Sequence, residues 1–395
     1  MLEVPRELLS SLEGEVISGL PIFCLERWQS LHETAAKINL SESGVYPLTL
    51  EELADYGVSI KDVLKLELGY GWTKGSPELR EAISKLYGSS VDPDNIVVTA
   101  GSAEANLLVV LSVASSGDIV LVDSPNYMQV SGLLKLVGAR VMYLEREPPK
   151  WNFPLQRALE LLGRLKPKAV FVTDPNNPTG SYMTKREIEE LALEAERRGV
   201  TLVFDEVYWG TERGEPKVSI AQISTSESFI SVSGLSKTYG LPGLRIGWLA
   251  TGSRSLANRA WSIKDYVSIA PSALSDRISS KILQPDVVSK LRSRARRIVS
   301  KNLEILNSLL PGSELIDPHL NPAGAYVWTR IPWTTDTLRL SYNVYRDSGI
   351  LVAPGECFNT EGYMRISAGL KSEIFRIGFT KLLETLKDLK NSFSL

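Results

Sequence analysis

From about residue 95 to residue 250 the chain alternates short apolar runs with segments of helical periodicity, and this alternation restricts the fold more than any other feature. The runs are Asn95 to Thr99, Ile119 to Asp123, Arg140 to Leu144, Ala169 to Thr173, Thr201 to Asp205, Phe229 to Ser233 and Arg245 to Ala250. Strands separated by helices build a mostly parallel sheet with helices packed on it. The near-continuous apolar character of Ala169-Val-Phe-Val-Thr and Thr201-Leu-Val-Phe fits strands buried on both faces. The expectation is an α/β fold with a mostly parallel sheet of seven strands sandwiched by helices.

Helix signals agree with this reading. Thr184-Lys-Arg-Glu187 is a capping box opening Ile188 to Arg198, and Gly199 stops that helix. Ser76-Pro-Glu starts another, with Ser at the cap and Pro77 at the first helical position. Beyond Ser253 the texture changes to long helical patterns from Asp286 to Leu310, broken by Pro311-Gly312. A strand at Ala325 to Arg330 and helices at Thr337 to Ser348 and Glu373 to Lys390 follow, which predicts a smaller α+β domain. The expected division assigns 46–285 to the large domain and 286–395 to the small one, with 1–45 joining the small domain, so that both termini build it.

Composition limits the chemistry. A net charge of -2 over 395 residues gives no long-range attraction for nucleic acid. The local cluster Arg292, Arg294, Arg296 and Arg297 reads as the solvated face of a helix. No apolar stretch approaches the length of a membrane span, and the first residues, Met-Leu-Glu-Val-Pro-Arg, do not read as a secretory signal. Cys24 and Cys357 stand far apart in no metal or redox spacing, so a reduced, cytoplasmic setting is expected. Only His32 and His319 are available, which leaves no parts for a His-rich metal site or a Ser-His-Asp triad. Chemistry must run on Lys, Asp, Tyr, Asn and Arg, and no metal is expected.

Polar residues gather where the predicted strands end, which is where ligands bind in open parallel sheets. Thr99-Ala-Gly101-Ser102-Ala103 joins a strand to a helix and offers free backbone amides and a hydroxyl to an anion. Tyr127 in Asp123-Ser-Pro-Asn-Tyr can stack on a flat ligand or pack in the core. Asp174-Pro-Asn-Asn177-Pro-Thr-Gly180 is a turn that places Asn177 at the same edge. Asp205 follows the apolar run Leu202-Val-Phe, a costly place for a carboxylate unless it caps a helix or meets a cation. The run Ser233-Gly-Leu-Ser-Lys237-Thr-Tyr-Gly-Leu-Pro-Gly-Leu-Arg245 combines an amine able to condense with an aldehyde and a guanidinium able to grip a phosphate. Gly69-x-Gly71-x-x-x-Gly75 lacks the spacing of a dinucleotide site.

In order and spacing, Gly101-Ser102, Tyr127, Asn177-Pro-Thr-Gly, Asp205-x-x-Tyr208, Lys237 and Arg245 resemble the fold-type-I pyridoxal phosphate enzymes, specifically the class I/II aminotransferases. The resemblance covers nearly the whole chain and implies pyridoxal 5′-phosphate as cofactor. It gives Lys237 the imine with the cofactor aldehyde and the proton shuttle to and from substrate Cα. Asp205 matches the carboxylate that keeps the ring nitrogen protonated, and Asn177 and Tyr208 match the donors to the ring's phenolic oxygen. Tyr127 matches the stacking ring. Ser102, the Ala103 amide and Arg245 match the phosphate grip, to which Tyr70 of a neighbouring subunit adds its hydroxyl, so a homodimer with a shared active site is implied. Arg365 matches the arginine that pairs with the substrate α-carboxylate; read from sequence alone it is an arginine in a surface ion pair.

Two positions depart from the pattern. A serine that often binds phosphate three residues before the lysine is Gly234 here, leaving Ser233 and Ser236 as replacements. The glycine whose amide touches the substrate carboxylate falls one residue late, at Gly44. The implied reaction is ping-pong transamination between an amino acid and a 2-oxo acid. Phe23-Cys-Leu-Glu-Arg-Trp28 with Leu40-Ser-Glu-Ser-Gly-Val also looks like capreomycidine synthase-type members, so an eliminase or other lyase on the same cofactor is the alternative. A transcription regulator of this fold would carry a DNA-binding domain ahead of the matched region, for which only a few tens of residues are present. A second arginine for dicarboxylate substrates is missing around Trp261 to Tyr266, where Lys264 or Tyr266 is the nearest substitute.

Overall fold

A computed structural model describes residues 6–393 apart from 225, 312 and 313, so Gly312 of the expected Pro311-Gly312 break and the first five residues lie outside it. The seven expected strands are present: β1 (Ile96–Thr99), β2 (Ile119–Ser124), β3 (Arg140–Glu145), β4 (Ala169–Thr173), β5 (Thr201–Asp205), β6 (Phe229–Gly234) and β7 (Gly247–Thr251). They form one sheet in the order β1-β7-β6-β5-β4-β2-β3. Every neighbouring pair is parallel except those of β7, which runs antiparallel to both β1 and β6. Strands β1 and β4 are buried at every position, as their unbroken apolar sequences require.

Five helices position the site or join the domains: α1 (Cys24–His32), α2 (Ser102–Val113), α3 (Lys185–Arg198), α4 (Pro285–Leu309) and α5 (Ser372–Phe393). The Thr184/Glu187 capping box opens α3 and Gly199 closes it in the left-handed conformation, as the sequence predicts. The smaller domain is a four-stranded antiparallel sheet, β8 (Asp317–His319), β9 (Tyr326–Arg330), β10 (Ala353–Pro354) and β11 (Tyr363–Ser367), in the order β8-β9-β11-β10. The N-terminal segment joins it: Ile38–Asn39 pairs parallel with Ile350–Leu351, and Leu40 and Val45 enter the same core as α5. Helix α4 serves both domains, with Val287, Val288 and Leu291 in the core of the large sheet and Ala295, Ile298 and Val299 in that of the small one.

Two sequence expectations fail here. Of the four clustered arginines of α4 only Arg297 is exposed, and the other three do not form a solvated face. Arg292 lies 4.1 Å from the Trp209 ring, Arg294 is buried on Tyr46 and donates to its carbonyl, and Arg296 donates to the Gly210 carbonyl. Long aliphatic stems and flat guanidinium groups cover aromatic surface well, so a run of arginines can fasten a helix between domains. The two cysteines are likewise not free: the fold brings their Cα atoms to 5.1 Å, and Cys24 and Cys357 form a disulfide that ties α1 to the small domain. The low cysteine count therefore carries no weight for a reduced compartment. Among the described residues no helix is long and apolar enough to cross a membrane.

Candidate active site

The antiparallel placement of β7 creates the site. Its register sets Gly247 opposite both Thr99 of β1 and Gly234 of β6. The chain leaving β1, the chain leaving β6 and the chain entering β7 thus meet at one edge of the sheet. That edge collects Gly101-Ser102, Ser236-Lys237 and Arg245. The approach is close enough to demand glycine: a Cβ on Gly247 would lie 2.3 Å from the Ser102 backbone nitrogen. Gly101 has φ of 85°, and a Cβ there would meet the Arg245 guanidinium at 2.4 Å.

A cavity of about 400 Å³ opens at this edge between the two domains. Ten of the residues singled out from sequence line it: Ser102, Ala103, Tyr127, Asn177, Asp205, Tyr208, Ser236, Lys237, Arg245 and Arg365. Ser233, Gly44 and Tyr70 do not. The Ser233 hydroxyl donates to the Glu206 carbonyl within the sheet, while Ser236 lies just past the strand end and reaches the cavity. Gly44 packs against the backbone of Lys237, its neighbour Val45 donating to the Lys237 carbonyl, and Ser43 lines the cavity in its stead. Tyr70 is 90% exposed on the outer surface. Lys264 is buried beside Glu104, 3.8 Å away, and donates to Ser268, so it does not line the pocket; Tyr266 is exposed.

Asp205 opens onto the cavity at the end of β5, yet no cation pairs with it among the described residues. Burial raises its pKa from 3.8 to about 6, against the lowering effect of hydrogen bonds from the Asn106 side chain and the Val207 amide. Asn106 is a residue that sequence reasoning missed. It sits one helical turn beyond Ser102 on α2, and i, i+4 spacing from the anion-binding turn was the available signal. Its Oδ1 and the Nε of Arg365 are buried without a partner. Arg365 itself is 1% exposed in the middle of the small sheet and forms no surface ion pair. It donates to Asn177 Oδ1 at 2.8 Å and to the Ser41 carbonyl.

The remaining walls are fixed by further bonds. Thr238 donates to the Val207 carbonyl at 3.0 Å, locking the lysine segment to the chain that leaves β5. The Tyr208 hydroxyl donates to Ser43. Tyr127 donates to Glu26 at 2.5 Å, and burial together with that carboxylate holds its phenol well above the ordinary value. Behind the cavity, Asp123 pairs with Arg146 and accepts from Asn176, which rigidifies the turn carrying Asn177. Helix α1 contributes Leu25, Glu26 and Gln29 to the rim, Glu33 follows at its C-terminal cap, and Glu42 adds a further carboxylate. An N-terminal amphipathic helix gives no sequence sign of facing a site.

This donor set suits a flat aldehyde bearing a phosphate. It has an amine, an anion cradle of backbone amides with a hydroxyl and a guanidinium, and a half-buried carboxylate in need of a cation. Comparison with known proteins agrees. The family profile described as aminotransferase class I and II matches residues 37–381. A valine–pyruvate aminotransferase of Mycobacterium tuberculosis is 29% identical over 321 residues, 78% of this chain and 81% of that protein. The structure of a PLP-dependent aminotransferase from Streptococcus suis superposes with a TM-score of 0.86 at 30% identity, covering 93% of this chain and 98% of the other. An aromatic aminotransferase from Pyrococcus horikoshii gives a TM-score of 0.79 at 25% identity, covering 93% and 99%.

Proposed function

Because the chain belongs to the class I and II aminotransferase family, we propose that the cavity between its domains is the active site of a pyridoxal 5′-phosphate-dependent aminotransferase, with Lys237 as the catalytic amine. The overall reaction moves an amino group from an amino acid to a 2-oxo acid in two half-reactions. The single observation that carries this assignment is the convergence of Lys237, Asp205 and Arg365 on one cavity from three different strand ends or strands. When bound, the cofactor supplies the aldehyde and the electron-withdrawing ring.

The residues of the chain supply the rest. Lys237 would hold the cofactor through its aldehyde, and its free amine would move a proton to and from substrate Cα. Asp205 keeps a proton on the ring nitrogen, because a cationic partner relieves the cost of its own ionisation. Asn177 and Tyr208 would supply donors to the cofactor's phenolic oxygen, and Tyr127 an aromatic face for its ring. Ser102, the Ala103 amide, Ser236 and Arg245 hold the phosphate. Arg365 fixes the substrate α-carboxylate and so orients the Cα–H bond. Gly44 acts indirectly here, by letting the N-terminal segment lie against the lysine backbone.

We also assign a homodimer with a shared site, in which Tyr70 reaches the partner's phosphate. Its support is the exposed apolar band Leu64, Leu68, Tyr70 and Trp72, exposed by 63 to 90% on one chain. The division at 45 and 285 is supported by the presence of two cores, although α4 contributes to the larger one as far as Leu291. The test is spectroscopic. An amino acid added to holoenzyme without a 2-oxo acid should convert the cofactor stoichiometrically to its amine form, and a 2-oxo acid should restore the aldehyde form. Continuous release of ammonia without an acceptor would instead identify an eliminase.

A further inference from the structure

Asn106 stands between the anion turn at Gly101-Ser102-Ala103 and the Asp205 carboxylate, and it donates to the latter. We propose that Asn106 is a positioning residue for the reaction: its amide holds Asp205 in the ionised form, so that a proton shared with the cofactor's ring nitrogen stays on the nitrogen. The inference rests on the aminotransferase reading of the site and adds a residue that this reading does not use.

The amide has one workable orientation. Its Nδ2 donates to Asp205 Oδ2 at 2.9 Å and to Gln129 Oε1 at 3.4 Å, which uses both hydrogens. Turned over, Oδ1 would face two acceptors. Gln129 is itself fixed, because it opens the helix Gln129–Leu136 and its Nε2 donates to the Ala103 carbonyl at 2.8 Å, leaving Oε1 to accept. A chain of three hydrogen bonds therefore runs from the turn that would hold the phosphate to the carboxylate that would face the ring nitrogen. Asn106 and Gln129 both line the cavity.

The cost of this arrangement points to its use. Asn106 Oδ1 is buried without a partner, an unfavourable state that a leucine of similar size would avoid. What the amide offers in exchange is its donor. A carboxylate accepts about four hydrogen bonds. Here the Val207 amide takes a place on Oδ1 and Asn106 one on Oδ2, and among the described residues no other side chain donates to Asp205. Capacity remains for a donor from the cavity. Of the nearby charges, Lys237 on the segment after β6 favours ionisation of Asp205 and Glu206 opposes it. Glu206 is committed to Lys217, Ser219 and Ser231. Burial works against the charge more than any of these, and the bond from Asn106 is the first of the influences that offset it.

The test begins with apoprotein and the variant Asn106→Leu. Loss of one hydrogen bond to a charged group should raise the proton affinity of Asp205 by about tenfold or more. Denaturant titrations read this as the stability gained on Asp205→Asn at each pH. That gain should level off at least about one pH unit higher in the Asn106→Leu background than in the unmodified one. An identical pH dependence in both backgrounds would overturn the inference, because a merely structural Asn106 shifts stability equally whether or not Asp205 ionises. In holoenzyme carrying nitrogen-15 in the cofactor ring, NMR should find the ring nitrogen protonated at pH 8 and less so in Asn106→Leu, with kcat lowered by about tenfold and KM little changed. Equal protonation in the two proteins would also overturn it. Asn106→Ala, which adds no bulk, is judged by the same criteria if the leucine variant does not fold. If the unmodified protein takes up no pyridoxal phosphate, the aminotransferase reading fails and the inference falls with it, whereas failure of the apoprotein titration alone leaves that reading standing.

Discussion

Asp205 dominates the energetics of the pocket because a carboxylate held at the end of a buried strand must either keep its proton or find a cation. Its folded pKa of about 6 lies above the ordinary 3.8. The folded apoprotein thus binds this proton more tightly than the unfolded chain, and the associated penalty is absent below pH 3.8 and complete above pH 6. Asp205→Asn should stabilise the apoprotein at pH 8 by on the order of 1–2 kcal/mol and leave it unchanged near pH 3.5 in denaturant titrations, while weakening cofactor binding. A loss of stability at pH 8 would mean that Asp205 already has a cationic partner. Arg365→Lys tests the opposite corner. A lysine cannot make the same planar fork, so KM for amino acids should rise by about tenfold or more with a smaller effect on kcat.

At the scale of elements, the β1–β7–β6 register brings the phosphate-binding and lysine segments together, and it depends on backbone contact at Gly247. Gly247→Ala should force β1 and β7 apart at that end, lowering both Tm and cofactor affinity measured by fluorescence titration. An unchanged affinity would show that the turn can shift without cost. The disulfide holding α1 is a second element-scale feature: it closes a loop of 333 residues, so reduction should destabilise the protein by up to about 5 kcal/mol. Thermal melts with and without reductant measure this, and two titratable thiols in unreduced protein would refute it. Neither Cys24 nor Cys357 gives a local sign of the other, since pairing across such a separation is decided by the fold. The arginines of α4 mislead for a related reason, because charge spacing on a helix does not reveal that Trp209 and Tyr46 lie against it. Strand positions, in contrast, are legible, because β1, β4 and β5 must hide both faces and so are written in apolar residues.

For the whole molecule, the residues expected on the cofactor side reach one cavity because they lie at or near strand termini along one edge of the large sheet. The choice between Ser233 and Ser236 needs the strand boundary, since β6 continues to Gly234 and holds Ser233 inside the sheet. The acidic rim from α1 is invisible in the sequence because a helix with an exposed acidic face ordinarily faces water. The exposed band around Tyr70 predicts a dimer in light scattering, and Tyr70→Ala should weaken cofactor binding without removing the catalytic amine. The aminotransferase reading itself depends on a single nitrogen atom, the amine of Lys237 in the cavity wall. Borohydride reduction of the holoenzyme followed by peptide mapping tests it directly: a pyridoxyl group on Lys237 alone is the predicted result, and a label on any other lysine, or no label, would contradict it.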